Sequence, residues 1–393
     1  MITRIELEGF RSFRDCAVDL SPFTVLVGQN GSGKTNLLEA VDLAAQVLRD
    51  STATWSPEGK AHLTADVRPG GSRGGRVVDL FHRYGEGGAA NRFGIAVCFL
   101  QTDPDRGLRH LRLDLHISRD DASTLPTARG TVTPLPDAPA RWGLSEAQES
   151  QIRRNGGKVS GFGTRWYGLA PNAGGARLDA DLHDDGPLAR DAHNLAAVLG
   201  RLLGEGAADS REALLLKADA VAVLPGLTDL RATPDVERGT WELDLTYRDA
   251  PPIPARLASD GTLHVLSVLV AAHDRGLREG TFNRCSTLMI EDVENGLHPG
   301  QVKELARRLR RCTGPETLQQ IIVTTHSPVV LAAVYPEHPG DVLFTDTVTR
   351  VGGGEAPSRH SRIRPLAESG ERGTYVPERE ARQYLETAQA GGR

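Results

Sequence analysis

The chain has 393 residues, with 46 basic and 51 acidic side chains and a formal net charge of −5. That length exceeds one average domain and allows a sizeable core, while the near balance of charge excludes a global field favouring nucleic acid. Cys16, Cys98, Cys285 and Cys312 are scattered without metal-type spacing and no apolar run is long enough to span a bilayer, so a reduced, cytoplasmic protein with no membrane anchor is expected.

The alternation of Ile2, Ile5 and Leu7, followed by Ala17-Val18-Asp19-Leu20, predicts a short antiparallel pair. Phe23-Thr24-Val25-Leu26-Val27 reads as a strand buried on both faces. It runs into Gly28-Gln29-Asn30-Gly31-Ser32-Gly33-Lys34-Thr35, a complete G-x-x-x-x-G-K-T pattern that predicts binding of a nucleoside triphosphate. Glycines there allow positive φ and let phosphate oxygens approach backbone N–H groups, and a helix beginning near Gly33 adds unsatisfied N–H donors. Lys34 supplies a charge for the β- and γ-phosphates, and Thr35 a hydroxyl for Mg²⁺. Leu37, Val41, Ala44 and Leu48 form the stripe that docks this helix on a sheet. The competing reading, a glycine-rich turn without a ligand, does not account for the strand before it and the helix after it.

Residues 51–90, rich in glycine, proline and charge, read as a long irregular excursion. Residues 93–100 and 108–117 read as strands, the second alternating Leu111, Leu113, Leu115 and Ile117. From 120 to 190 the chain is polar and proline-rich, with no element assigned. Leu195, Val198, Leu199, Leu202 and Leu203 share a helical face within 194–203. Trp241, Leu243, Leu245 and Tyr247 alternate as a strand, and Pro251, Pro252 and Pro254 mark a boundary after it.

Thr287-Leu288-Met289-Ile290-Glu291-Asp292 is an apolar strand ending in two acids, which places carboxylates at the carboxyl edge of a parallel sheet. Glu291 is expected to hold Mg²⁺, directly or through water, and Asp292 to orient and deprotonate an attacking water. An ordinary strand ending in a charged turn is the alternative. Ile321-Ile322-Val323-Thr324-Thr325-His326-Ser327-Pro328 is a second buried-type strand, and its His326 is expected to hydrogen-bond a γ-phosphate or the water, although a histidine after a strand is often structural. Lys303, Arg307, Arg308, Arg310 and Arg311, and in the tail Arg359, His360, Arg362 and Arg364, give weak support for a nucleic-acid contact; a solvated face carries more weight for each group.

The stretch from Ile5 to Asn36, with Gly9-Phe10-Arg11-Ser12-Phe13 and the glycine loop, resembles the opening of ABC-type ATPase heads of the RecF/SMC kind. Leu257-Ala258-Ser259-Asp260-Gly261-Thr262-Leu263 resembles their signature motif. Glu291-Asp292-Val293-Glu294-Asn295-Gly296-Leu297-His298-Pro299 resembles the acidic-strand motif of OLD-like ATPases, and Thr325-His326-Ser327-Pro328 their switch-histidine segment. These motifs cover well under half the chain.

The resemblance implies an α/β P-loop NTPase fold, an ABC-ATPase-like head with a mostly parallel core sheet, an antiparallel β lobe and a helical insert. Residues 1–50 and 255–350 would form the ATPase core, 51–254 an inserted lobe and 351–393 a tail. It implies ATP and Mg²⁺ as ligands, with Gly28, Asn30, Gly31, Ser32, Gly33, Lys34, Thr35 and Asn36 around the triphosphate. It also implies a head-to-tail homodimer in which Ser259 and the N–H of Gly261 reach the partner's γ-phosphate. Ser259-Asp260-Gly261-Thr262 as a plain helix cap is the alternative.

The chain departs from this pattern in two places. The acids stand in the order Glu291, Asp292, where such heads place Asp then Glu, and too few residues follow His326 for the C-terminal Toprim nuclease domain of OLD nucleases, so no nuclease is expected within this chain. The leading expectation is an ATPase driving a DNA-linked process, repair or anti-phage defence, through a separate effector or nuclease. The alternative is an ATP-dependent switch that recruits a protein without binding nucleic acid. The nucleotide-binding subunit of a membrane transporter fits less well, because the signature departs from Leu-Ser-Gly-Gly-Gln.

Overall fold

Helix α1 (Lys34–Asp50) is buried along most of its length because Leu37, Leu38, Val41, Leu43, Ala44, Ala45 and Val47 all join one apolar core that also takes residues from two sheets. The computed structural model describes residues 1–56, 60–67, 77–83, 90–103, 107–119, 126–136, 139, 142, 165–169, 173–204, 210–274, 286–314, 317–352, 355–371 and 373–390.

The first sheet is antiparallel and seven-stranded. It is built from β1 (Ile2–Phe10), β2 (Phe13–Asp19), β4 (Thr52–Trp55), β5 (Ala61–Asp66), β6 (Arg92–Asp103), β7 (Gly107–Ser118) and β8 (Thr127–Pro134), in the order β2-β1-β6-β7-β8-β5-β4. The second is the core sheet, ordered β17-β16-β3-β15-β14-β9, from β3 (Phe23–Val27), β9 (Arg165–Leu169), β14 (Ser286–Ile290), β15 (Gln319–Thr325), β16 (Val342–Gly352) and β17 (Glu355–Pro365). Its strands run parallel except β17, which returns antiparallel beside β16. A small third sheet joins β10 (Ala180–Asp181), β11 (Leu227–Asp235), β12 (Thr240–Tyr247) and β13 (Ile253–Pro254).

The core sheet has an apolar face on each side, as a parallel sheet requires. Leu26, Met289 and Ile322 face α1 and the antiparallel sheet. Val25, Val27, Leu288, Ile290, Ile321 and Val323 face a helical layer of α2 (Leu195–Leu203), α3 (Arg211–Val223), α4 (Asp260–His273), α5 (Pro299–Arg311) and α6 (Pro328–Val334). The C-terminal helix α7 (Glu378–Ala390) packs on α6. Gln320 joins the sheets: its buried amide accepts from Ile2 N at 2.7 Å and donates to the Ile2 and Ser21 carbonyls at 2.8 and 3.0 Å.

The α/β head fold and the opening antiparallel pair are as the sequence predicts. Both large sheets nevertheless cross the segment boundaries expected from sequence. Strands β6, β7 and β8 continue the sheet begun by β1, β9 is an edge of the core sheet, and β17 lies within that sheet beyond residue 350. The excursion over 51–90 contains the antiparallel pair β4 and β5, and within 120–190 the structure has β8, β9 and β10. The rest of those two spans lies partly outside the described residues, as does Cys285.

Candidate nucleotide site

Register places the predicted groups on one edge. Val27 pairs with Thr325 and Ile290 with Val323, so the loop after β3, the turn after β15 and the acids after β14 emerge side by side at the carboxyl ends of three parallel strands. Gly28 N donates to the Thr325 carbonyl at 3.2 Å, and Asp292 N to Thr324 Oγ1 at 2.9 Å, so β15 holds both flanks in place.

The glycine loop follows the expected conformation, with φ of +77° at Gly31 and +106° at Gly33. Two glycines have a further reason that sequence reasoning missed. A Cβ at Gly28 would lie 2.3 Å from the Thr345 carbonyl, and one at Gly33 2.3 Å from Ser361 Oγ, so β16 and β17 press on the back of the loop. Asn36 turns to the same side, donating to Ser12 Oγ at 2.6 Å, while Ser361 Oγ donates to Ser12 Oγ at 2.8 Å. Asn36 thus braces the loop from behind.

Helix α1 starts at Lys34 with Gly33 as its cap residue, no side-chain cap and no acid in its first turn, which leaves its N-terminal N–H groups and dipole to an anion. Lys34 is 6% exposed, and its ammonium donates to the Gly28 and Gln29 carbonyls at 2.6 and 3.1 Å. Burial lowers its pKa, against the opposing pull of Asp292 and Glu294. Ser32 Oγ and Glu294 Oε2 are buried without a hydrogen-bond partner among the described residues, a cost that a polar ligand would relieve.

Thr35 Oγ1 approaches Glu291 Oε2 at 3.5 Å, bringing together the two side chains expected to share Mg²⁺. The other oxygen of Glu291 is bound by Arg190, Nη2 to Oε1 at 2.9 Å, and Arg190 Nη1 reaches Asp42 Oδ2 at 2.8 Å. Asp292 has a left-handed φ of +45°, and its half-exposed carboxylate lies 3.8 Å from His326 Nδ1. Thr35, Glu291 and the loop backbone fit a magnesium–triphosphate group in donor type, since hydroxyl, carboxylate and amide N–H are the partners it takes.

Glu294 belongs to the acidic motif but has no role assigned from sequence. Its Oε1 accepts from Thr325 Oγ1, His326 N and Ser327 N at 2.7, 2.9 and 3.0 Å and lies 3.2 Å from His326 Nδ1. One carboxylate therefore sets the turn that presents the imidazole. Tyr384 of α7 donates to the His326 carbonyl at 3.2 Å from the other side.

The signature-like segment is elsewhere. Ser259 caps α4, its Oγ accepting from Thr262 N at 3.2 Å, so the plain-cap reading describes its bonds within this chain. It is also exposed, and among the described residues no hydrogen bond joins Ser259 or Gly261 to the glycine loop. Gly261 is needed for packing, because a Cβ there would lie 2.3 Å from the Gly296 carbonyl. Arg177, another residue not foreseen, pairs with Asp260 and donates to the Arg256 and Ala258 carbonyls at 2.8 and 2.7 Å.

The basic groups considered for nucleic acid are largely paired inside the chain. Arg308 bonds Glu304 and Asp219, Arg307 bonds Glu304, Arg310 bonds Asp341, and Arg362 and Arg364 both bond Asp346. These five arginines each neutralise a carboxylate of this chain. Among the described residues no helix is long and apolar enough to cross a membrane.

A glycine loop, an acid pair and a histidine on the rim of a parallel sheet define the nucleotide-binding head of an ABC-type ATPase of the RecF, SMC and OLD kind. Residues 23–332 match the family described as AAA domain, putative AbiEii toxin, Type IV TA system, and the chain belongs to that family. It is similar to the DNA replication and repair protein RecF of Acidothermus cellulolyticus, 49% identical over 57 residues that make up 14% of this chain and 15% of that protein. It is also similar to the OLD nuclease of Thermus scotoductus, 44% identical over 43 residues, 11% of this chain and 8% of that protein. The first curated relatives are matched over about 15% to 22% of their own length.

In fold it is similar to an Smc head bound to the C-winged helix domain of ScpA, with a TM-score of 0.54 and 16% identity over 92% of this chain and 97% of that one. The Smc head of Pyrococcus furiosus bound to the C-terminal domain of ScpA gives 0.50 at 14% identity over 99% of each.

Proposed function

We propose that this chain is a Mg²⁺-dependent ATPase whose heads pair head to tail around ATP and thereby license a DNA-linked process carried out with a separate effector. The observation that carries the reading is the meeting of Lys34, Thr35, Glu291, Asp292 and His326 at one sheet edge, with Thr35 Oγ1 3.5 Å from Glu291 Oε2.

Loop N–H groups beyond Gly28 and the start of α1 bind the β- and γ-phosphates, and Lys34 exchanges its carbonyl partners for phosphate oxygens. Thr35 and Glu291 would hold Mg²⁺, which when bound would supply positive charge against the charge developing on the phosphates. Asp292 orients the attacking water and accepts its proton. His326, held by Glu294, hydrogen-bonds the γ-phosphate or the water. Ser259 and the Gly261 N–H of the second copy complete the site from outside, consistent with the exposure of Ser259 and its lack of a bond to its own loop. The DNA link rests on the printed function of the RecF relatives.

A second reading, an ATP-driven switch for a protein partner alone, is favoured by one observation: Arg307, Arg308 and Arg310 of α5 are paired with carboxylates of this chain. DNA-stimulated turnover with steep salt dependence supports the first reading, and turnover indifferent to DNA supports the second. The test of the core claim is Asp292→Asn. It should retain ATP and accumulate dimers in light scattering, and adding Ser259→Arg should return those dimers to monomers. Dimers that persist in the double variant would contradict completion of the site in trans.

A further inference from the structure

We infer that Arg190 is a positioning residue that clamps Glu291 so that one carboxylate oxygen is presented to Thr35 and the metal. This rests on the nucleotide reading given above and assigns a role to a residue that the acidic motif does not contain.

Arg190 lies in the segment between β10 and α2, and that segment is rigidly framed. Asn194, 3% exposed, accepts from Ala189 N at 2.7 Å and donates to Asp184 Oδ2 and the Pro187 carbonyl, both at 3.0 Å. Leu188 N donates to Asp274 Oδ2 at 3.4 Å, and Ala192 is held at φ +64°, a conformation that a non-glycine residue keeps only when its surroundings impose it. From this frame one guanidinium reaches two elements. Nη1 bonds Asp42 on α1 at 2.8 Å and Nη2 bonds Glu291 Oε1 at 2.9 Å. The fork geometry of arginine fixes the plane and direction of each bond, which a lysine ammonium does not.

The consequence for Glu291 is an asymmetry between its oxygens. Oε1 is tied to Arg190, whereas Oε2 faces Thr35 Oγ1 at 3.5 Å. A glutamate has one more rotatable bond than the aspartate that the resembled heads carry here, so its carboxylate can swing away from the metal position. Anchoring Oε1 removes that freedom and aims Oε2. The departure from the family order at 291 and the arginine at 190 are then two halves of one arrangement: the longer acid works because a second residue holds it. Outer partners of metal-binding carboxylates act in this way, and their loss commonly costs 10–100-fold in metal affinity.

The experiment is a calorimetric titration of a non-hydrolysable ATP analogue into the full chain, once with Mg²⁺ and once with EDTA. In the wild type Mg²⁺ should increase affinity. In Arg190→Ala the affinity in EDTA should stay within about twofold, while the gain from Mg²⁺ should shrink roughly tenfold. Arg190→Lys should fall between them. In a Glu291→Asp background, where the acid no longer needs a clamp, Arg190→Ala should cost less than it does with Glu291 present. Equal losses with and without metal, an unchanged metal gain, or equal costs in both backgrounds would overturn the clamp.

If Arg190→Ala does not fold, Asp42→Ala replaces it. That variant releases only Nη1 and should lower the metal gain by a few-fold, and no change there counts against the proposal. A wild type that binds no nucleotide overturns the nucleotide reading and the clamp with it. A wild type that binds, with an Arg190→Ala variant indistinguishable from it, overturns the clamp alone.

Discussion

Asp292, Glu294 and His326 gather on the rim of the core sheet, whereas Asp219, His273 and Cys312 gather between helices α3, α4 and α5, and each trio places its ligand-type atoms within 4.8 Å of one another. At the rim, His326 is about half exposed and lies 3.8 Å from Asp292, so the pair has room for a guest. In the helical layer His273 and Asp219 are 3% and 7% exposed, bonded at 2.9 Å, and Arg308 takes the second oxygen of Asp219 at 2.8 Å. The same residue types therefore serve different ends. Slack and a shared edge with a phosphate loop suit chemistry, while full mutual satisfaction in a dry layer suits fixed packing.

The sharpest way to break that contrast is to remove one acid from each trio. Asp292→Asn should lower turnover by about 10²–10⁴-fold, the range for a lost general base, with melting temperature nearly unchanged. Normal turnover would mean that another group is the base. Asp219→Ala should lower unfolding free energy by about 3–5 kcal/mol, because it leaves the buried His273 without its carboxylate partner and Arg308 with Glu304 alone, while the folded fraction keeps its nucleotide affinity. Chemical denaturation checks the first part and calorimetry the second; a drop in affinity without a drop in stability would reverse the assignment of the two trios.

A smaller effect separates the trios by pH. Burial alone would lower the His273 pKa, but the Asp219 hydrogen bond outweighs it, with a weaker contribution from Cys312, and carries the imidazole up to about 9. A folded value above the ordinary 6.5 means that this stabilisation is complete below pH 6.5 and is lost as pH rises through 9. Stability should therefore decline by about 2–3 kcal/mol across that window from this source, and Asp219→Asn should flatten the decline. A decline of the same size in the variant would assign it to other groups. Smaller still, Glu294→Gln should slow turnover by roughly tenfold, since an amide oxygen still accepts from the His326 and Ser327 N–H groups but gives up the charge beside the imidazole.

What could be read from the sequence was local. The glycine loop, the strand before it and the acids after β14 each occupy a few consecutive residues whose pattern carries its own reason, and the structure brings them together through the pairing of β3, β15 and β14. Arg190 and Arg177 escaped because their partners lie 101 and 83 residues away and nothing near them in sequence points across that gap. Strand β17 escaped for a different reason. Among the described residues of β17, Ser358, Ser361 and Arg364 are buried alongside Ile363, so its buried positions lack the apolar alternation that marks a strand. Helix α3 exposes Leu214, Leu215 and Val221 while burying Ala213, Leu216, Ala220 and Val223, and apolar residues all round a helix leave no stripe to read. Glu294 stood inside a quoted motif, yet its bonds to the turn after β15 exist only once the strands are paired.

The claim beneath all of this is that one triphosphate sits between Lys34 and Glu291. The most direct measurement is calorimetric titration of ATP with Mg²⁺ into the wild type, Lys34→Ala and Glu291→Ala. Saturable one-to-one binding by the wild type, a loss of about 100-fold or more in Lys34→Ala, roughly 2.7 kcal/mol, and a loss confined to the Mg²⁺-dependent part in Glu291→Ala is the result predicted. Equal affinity in the wild type and Lys34→Ala would contradict it.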